Sequence, residues 1–160
     1  MAVDIFIKID DVKGESADDK HKNEIDVITW SWGATQSGTM QSGSGGGAGK
    51  VQVQDLHITK YIDKASPTLL AMCASGTHAK QAILTFRKAG GKPLEYLKIT
   101  MEKVIISSIS MTGSTSDDRL TETIALNFAT FKYVYAAQKA DGSSEPEITT
   151  GYNIQANKPL

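Results

Sequence analysis

The chain has few of the features that mark disulfide-stabilised, membrane-spanning or nucleic-acid-binding proteins. Its 160 residues include 1 cysteine, so an intramolecular disulfide and a multi-cysteine zinc site are both excluded. No run reaches the ~18 apolar residues that cross a bilayer. The 17 Lys and Arg against 18 Asp and Glu give a net charge of -1, which argues against a surface for nucleic acid or anionic membrane. We therefore expect one domain over residues 1–160, stabilised by a hydrophobic core.

The N-terminal segment predicts a β-strand rather than a cleaved export leader. In MAVDIFIKID the apolar residues Val3, Ile5 and Ile7 share one parity, as in a half-buried strand. Asp4 and Lys8 interrupt the apolar core that a signal peptide requires. Any export is therefore expected to use a route without a cleaved signal peptide.

The rest of the chain predicts a mainly β fold with one short helix. Ser66 fits an N-cap, Pro67 the first helical position and Gly76 the C-terminal stop of that helix. The apolar residues change from odd positions, Val51 and Val53, to even positions, Leu56 and Ile58, which suggests a bulge near Gln54 and Asp55. Short turns between strands favour antiparallel pairing in a barrel or sandwich. Strands are predicted at residues 3–9, 25–32, 51–58, 82–86, 94–101, 104–111, 120–135 and 152–154.

The stretch between Ala34 and Lys50 is predicted to be a long glycine-rich loop. It contains TQSGTMQSGSGGGAG, with six glycines, and loops of this length inside compact domains are uncommon and often functional. Its end, Gly49-Lys50, invites comparison with a phosphate-binding loop, but such a loop needs Ser or Thr where Val51 stands and a helix where a strand is predicted. No nucleotide is expected here.

The residues that most often carry chemistry lie in patterns that favour structural roles. The three histidines lack metal-ligand spacing, and His21 is expected to be solvated in a charged loop. The acidic group of Glu15, Asp18 and Asp19 is expected to form solvated turns. Cys73 is expected to pack within the helix, and no nucleophile motif is present. We expect no metal, no cofactor and no catalytic activity.

Two tryptophans, Trp30 and Trp32, fall on one face of the predicted strand 25–32. Packing in a core or between subunits is the commoner use of such a pair. A stacking platform in a soluble carbohydrate- or peptide-binding β module is the alternative. On the other face, Thr29 and Ser31 are small and uncharged, which suits a pore lining or contact with another sheet.

Several long segments resemble the hemolysin-coregulated protein (Hcp) family, the tube-forming subunits of bacterial type VI secretion systems. The resemblance covers nearly the whole chain in order and is weaker after Gly142. The segments that carry it are MAVDIFIKIDDVKGES, EIDVITWSWG, GKVQVQDLHITKYIDKASPTL, LTFRKAGG, EYLKITMEKV and DRLTETIALNFA.

This resemblance implies a small two-sheet antiparallel β-barrel with a flanking helix at Ser66–Ser75 and an extended loop at 36–51. It also implies a homohexameric ring, rings stacked into a hollow tube, and type VI spike, sheath and small effector proteins as partners. Such a tube is assembled in the cytoplasm and secreted. Thr29 and Ser31 are our candidates for lining the lumen. The candidates for contacts between subunits or rings are Gln36, Met40, Gln41, Ser42, Lys50 and Val51.

Overall fold

The computed structural model describes residues 2–38, 40, 41 and 49–160 as antiparallel strands with one helix. This confirms the mainly β prediction. The helix is α1 (Ala65–Ser75). The strands are β1 (Val3–Ile9), β2 (Ile25–Asp26), β3 (Thr29–Ser31), β4 (Ala34–Thr35), β5 (Gln52–Val53), β6 (Leu56–Tyr61), β7 (His78–Lys88), β8 (Leu94–Thr112), β9 (Thr121–Asn127), β10 (Thr130–Tyr135), β11 (Ile148–Asn153) and β12 (Lys158–Pro159).

One long strand, β8, belongs to two sheets. Its first half lies between β7 and β10 in the first sheet, which has the order β12-β11-β10-β8-β7-β1-β2, and its second half pairs with β9 in the second sheet, β3-β6-β9-β8. The sequence predicted two strands here, 94–101 and 104–111. Instead, Lys103 adopts a φ of 54°, and the buried positions change parity from Met101 to Val104 without a turn.

The two sheets pack face to face around the core. Their inner faces meet where the Trp30 ring lies on Phe86, with ring centroids 4.6 Å apart. The strand ladders do not close into a complete barrel. Between β2 and β3 the chain passes from the first sheet to the second, and the Val27 N–H donates to the Ile5 carbonyl at 2.9 Å while the Ile28 N–H donates to the Thr59 carbonyl at 2.8 Å.

Three predicted strands are therefore interrupted in the structure. The 25–32 strand breaks at residues 27–28 and the 120–135 strand at 128–129, because in both places the chain moves between sheets. The 51–58 strand breaks at 54–55, where the sequence placed a bulge. The final strand is longer than predicted and begins at Ile148.

The helix confirms its predicted end and corrects its predicted beginning. Gly76 ends it in the left-handed region, at a φ of 69°. Its N-cap is Lys64 rather than Ser66, and its first helical residue is Ala65 rather than Pro67. Ser66 is buried inside the first turn. The Ser66 hydroxyl donates to Glu122 at 2.6 Å, and Lys60 Nζ lies 2.5 Å from the same carboxylate oxygen. This fully buried ion pair and hydroxyl tie the helix to β6 and β9.

Candidate assembly surfaces

The outward-pointing residues on the described strands of the second sheet are mostly small hydroxyl residues and include no Lys, Arg, Asp or Glu. Two charged side chains reach the margins of this face from outside the strands: Asp55 accepts from Asn127, and Arg119 lies over the Tyr61 ring at 3.8 Å. Strand register places Thr29 opposite Thr59 and Thr59 opposite Thr123, and the Thr59 and Thr123 hydroxyls lie 3.3 Å apart. Ser31 lies opposite His57 in the next row. We call this surface the uncharged face; its small hydroxyl residues are Thr29, Ser31, Thr59, Ser108, Ser110, Thr112, Thr121 and Thr123.

Thr29 and Ser31 are exposed on this face, and the tryptophans beside them point into the protein. Trp30 packs on Phe86, and Trp32 meets the Phe131 ring edge-on with centroids 5.0 Å apart. A saccharide or peptide platform needs open ring faces. These rings are occupied by core contacts, so the alternative of a carbohydrate- or peptide-binding module loses its structural basis.

The long loop after β3 starts and ends as a two-stranded ribbon, which we call the arm (residues 34–53). Ala34 pairs with Val53 and Thr35 with Gln52. At its base the Trp32 indole N–H donates to the Gln54 carbonyl at 2.9 Å, and the Gln54 N–H donates to the Gly33 carbonyl at the same distance. The sequence predicted only a loop here, because two-residue strands leave no periodic signal.

Beyond its base, most of the described residues of the arm are exposed. Gln36, Gln41 and Lys50 are exposed, and Met40 is 81% exposed, while Val51 is half-buried. Ser42, the remaining predicted contact residue of the arm, lies outside the described residues. An exposed methionine on a segment that pairs mainly with itself is an unsatisfied apolar surface in the single subunit.

The loop between β1 and β2, residues 10–24, is by contrast fastened to the first sheet. His21 was expected to be solvated, and this was wrong: it is 8% exposed and stacks on Phe6 at 4.4 Å between ring centroids. Its Nδ1 lies 2.9 Å from a Glu24 oxygen, and its Nε2 lies 2.6 Å from a Glu95 oxygen on β8. The long-range partner explains the error, since nothing near His21 in sequence announces Glu95.

Of the three acidic residues that were expected to be solvated in this loop, Asp18 and Glu15 are held by contacts with other elements, whereas Asp19 is exposed as predicted. Arg87 on β7 donates to both Asp18 oxygens, at 2.6 and 2.9 Å, and to Asp4 at 2.9 Å. Hydrogen bonding by Arg87 lowers the pKa of the Asp18 carboxyl to about 2, and hydrogen bonding to Asp18 and Asp4 raises the pKa of the Arg87 guanidinium. Glu15 accepts the Lys64 N–H at 2.8 Å, at the start of α1.

Within residues 2–38, 40, 41 and 49–160, no three His, Cys, Asp or Glu side chains are grouped so as to hold a metal ion. In that same part of the chain no helix combines the length and the apolar character needed to cross a membrane. The features that stand out among the described residues are the uncharged face, the arm and the loop at 10–24 fastened to the first sheet.

Comparison with known proteins decides the family. Residues 6–135 match the family model described as "Type VI secretion system effector, Hcp". Protein hcp1 of Pseudomonas aeruginosa is 57% identical over 159 residues, which cover 98% of each chain. The chain belongs to the Hcp family. It is thus a tube protein of type VI secretion and a secreted one.

Solved structures of Hcp proteins share the fold over the full length. Hcp1 from Salmonella typhimurium superposes with a TM-score of 0.83 at 47% identity, covering 100% of both chains. A structure described as that of a type six secretion system protein gives a TM-score of 0.95 at 33% identity, covering 99% of this chain and 100% of the other. The overall fold of this chain is therefore shared with these two structures.

Proposed function

We propose that this Hcp chain, acting as one domain, forms homohexameric rings that stack into the hollow inner tube of a type VI secretion system. Ring closure requires two different complementary patches on each subunit, and a closed ring buries both. The first sheet supports this by ending in the short exposed strand β12, whose outer edge has no partner among the described strands. Assembly takes place in the cytoplasm, and the tube then leaves the cell.

The observation that carries the proposal is the uncharged face. A wall through which folded proteins pass must attract no cargo strongly, and hydroxyl groups without formal charge hold ligands weakly. Thr29 and Ser31 are exposed there, with their backbone fixed by pairing to Thr59 and His57. We assign this face to the lumen and these two residues to contact with small effector proteins.

The arm supplies contacts between neighbouring subunits or rings. Its exposed Met40 and Lys50 project from a segment that contributes little to the core of its own subunit. Apart from further copies of the chain and effectors in the lumen, the partners are the spike at the tip of the tube and the sheath around it. Neither nucleic acid nor a membrane is assigned as a partner.

The direct test is the mass and shape of the purified protein. Light scattering should give a particle close to six times the chain mass, and negative-stain electron microscopy should show rings with an open centre. A stable monomer at high concentration, without rings on the grid, would overturn the proposal.

The lumen assignment is tested by Ser31→Phe, which places a bulky ring on the uncharged face. We expect intact rings that retain less of an effector co-expressed with them, because the ring occupies space at the cargo surface. The matched control is Thr149→Phe, at an exposed position of β11 in the first sheet, which should retain cargo normally. Equal retention by Ser31→Phe and the wild-type rings would place the lumen elsewhere.

A further inference from the structure

The uncharged face contains one side chain whose charge can change near neutral pH. His57 lies at an exposed, outward position of β6, opposite Ser31 on β3 and Ala125 on β9. The other outward positions on the described strands of this sheet carry residues that are neutral at this pH. Histidine is the side chain whose charge ordinarily changes between about pH 5 and pH 8. The strand surface is therefore uncharged only while His57 has no second proton.

The His57 ring is oriented through one of its two nitrogens. Its Nδ1 lies 3.1 Å from the backbone carbonyl oxygen of Asp55. A carbonyl oxygen only accepts hydrogen bonds, so Nδ1 carries the proton of the neutral ring and donates it to that oxygen. The second nitrogen, Nε2, is then an acceptor. Among the described residues no group hydrogen-bonds to Nε2, so this acceptor is available to a molecule that lies against the face.

Two charged groups lie near the ends of β6, on either side of His57. Asp55 precedes the strand, and its carboxylate accepts from Ser107 at 2.6 Å and from Asn127 at 2.8 Å, so both oxygens already have neutral donors. Arg119 lies over the last residue of β6, which is roughly 13 Å from His57 along a strand. Exposed charges are screened over ~8 Å at physiological ionic strength. The neighbouring strands face His57 with neutral residues: Ser31, Ser108 and Ala125.

We infer that His57 is a cargo contact that makes the retention of effectors dependent on pH. The inference rests on the proposed function, which assigns the uncharged face to the lumen. At neutral pH, Nε2 accepts a hydrogen bond from a hydroxyl or amide N–H group of the cargo. After protonation both ring nitrogens are donors, so this bond is lost, and each subunit adds one positive charge to the wall of the ring. Cargo is therefore held in neutral solution and released as the solution becomes acidic.

The neutral form of the ring determines which cargo groups fit beside it. Loading takes place in the cytoplasm under the proposed function, where a neutral His57 offers the lone pair of Nε2. A cargo carboxylate would place a second lone pair against it, whereas a hydroxyl or amide N–H donates to it. Acidification also adds protons to the cargo itself, so cargo and wall both become more positive and repel each other. The hydroxyl groups of Thr29 and Ser31 do not titrate in this range, so His57 alone gives the described strand surface a response to pH.

The test compares the affinity of purified rings for an effector at about pH 7.5 and about pH 5.5. The probe is a small effector of the same secretion system that co-purifies with wild-type rings. His57→Gln keeps a polar side chain that cannot gain this charge, so any pH dependence that remains belongs to the effector. We expect wild-type rings to lose roughly three- to tenfold more affinity on acidification than His57→Gln rings. The matched control is His78→Gln, at an exposed histidine of β7, which should respond to pH as the wild type does.

Ring mass, measured by light scattering at both pH values, separates this inference from the proposed function. Wild-type protein that forms no rings at pH 7.5 contradicts the proposed function itself. Intact rings that respond to pH equally in wild type and His57→Gln overturn only the inference, as does an equal change in His78→Gln.

Three further outcomes also overturn the inference. Affinity that rises in acid through His57 would indicate a cargo carboxylate at this position. Wild-type rings that come apart at pH 5.5 would explain release by disassembly. If His57→Gln forms no rings, His57→Ser replaces it, because serine matches the hydroxyl residues around it, and a loss of rings in both variants would make His57 an assembly residue rather than a cargo contact.

Discussion

The two long connections of this protein, the charged loop at 10–24 and the glycine-rich arm at 34–53, differ in what they contact. The loop is held to its own first sheet by the His21–Glu95 contact and by Arg87 bound to Asp18. The arm pairs with itself at its base and exposes Met40 at 81%. Long-range side-chain partners therefore mark a connection that stabilises the subunit. Exposed apolar surface on the described residues of the arm, such as Met40, marks a connection available to other subunits.

The largest effect is expected from shortening the arm by deleting Ser42–Gly49. Gly49 lies beside Ser37, so after the deletion the four residues 38–41 remain to connect Ser37 to Lys50. We expect stacked tubes, or the rings themselves, to be lost, because exposed arm residues supply contacts between copies rather than core burial. Electron microscopy measures the loss.

The same deletion should leave the subunit folded, with a free energy of unfolding within ~0.5 kcal/mol of wild type when both are monomeric. Monomeric conditions matter because assembly adds a concentration-dependent term to apparent stability. Normal tubes from the deletion variant would contradict the division between the two connections. So would a deletion variant that fails to fold.

A smaller effect is expected from Phe6→Ala, which removes the platform under the fastened loop. Phe6 is 4% exposed, stacks with His21, and lies under the Arg87 guanidinium at 5.1 Å. Truncating a buried phenylalanine costs about 3 kcal/mol, and hydrogen exchange in residues 10–24 should quicken. Urea unfolding at fixed protein concentration measures the change. The matched control is Met40→Ala, in the arm, which should alter the subunit's stability little. An equal loss of stability in both variants would contradict the distinction between the loop and the arm.

Much of the fold could be predicted because its signals are local. The alternation from Val3 to Ile9 predicts β1, and Gly76 ends α1 where the sequence places the stop. The parity at Thr29 and Ser31 predicts which side of β3 is exposed. These features depend on neighbouring residues, so one sequence contains the information.

The rest could not be predicted because it depends on partners far along the chain. Ser66 has the composition of an N-cap but serves the buried Lys60–Glu122 pair, and Glu122 is distant in sequence. The break predicted between residues 101 and 104 is a bend at Lys103 and not a turn between two strands, because β8 continues from the first sheet into the second. His21 resembles any solvated loop histidine until Phe6 and Glu95 are brought to it.

The smallest effect, and the most specific to the fastened loop, concerns acid stability through Asp18. Its carboxyl has a pKa of about 2 in the folded protein against 3.8 for the unperturbed group, because Arg87 donates to it. A carboxyl whose pKa is lowered by folding stabilises the folded state above its unfolded pKa and loses this contribution as pH falls toward the folded value. Asp18→Asn should therefore lower the urea midpoint at pH 5, and the difference in midpoint from the wild type should narrow between about pH 4 and pH 2.

The control is Asp19→Asn, which removes an exposed carboxylate with no ion pair among the described residues. It should leave the urea midpoint nearly unchanged at every pH. A difference in urea midpoint between Asp18→Asn and wild type that stays constant down to pH 2 would mean that the charge of Asp18 does not hold the loop. The loop would then be held by its other contacts, the stacking of His21 on Phe6 and the His21–Glu95 contact.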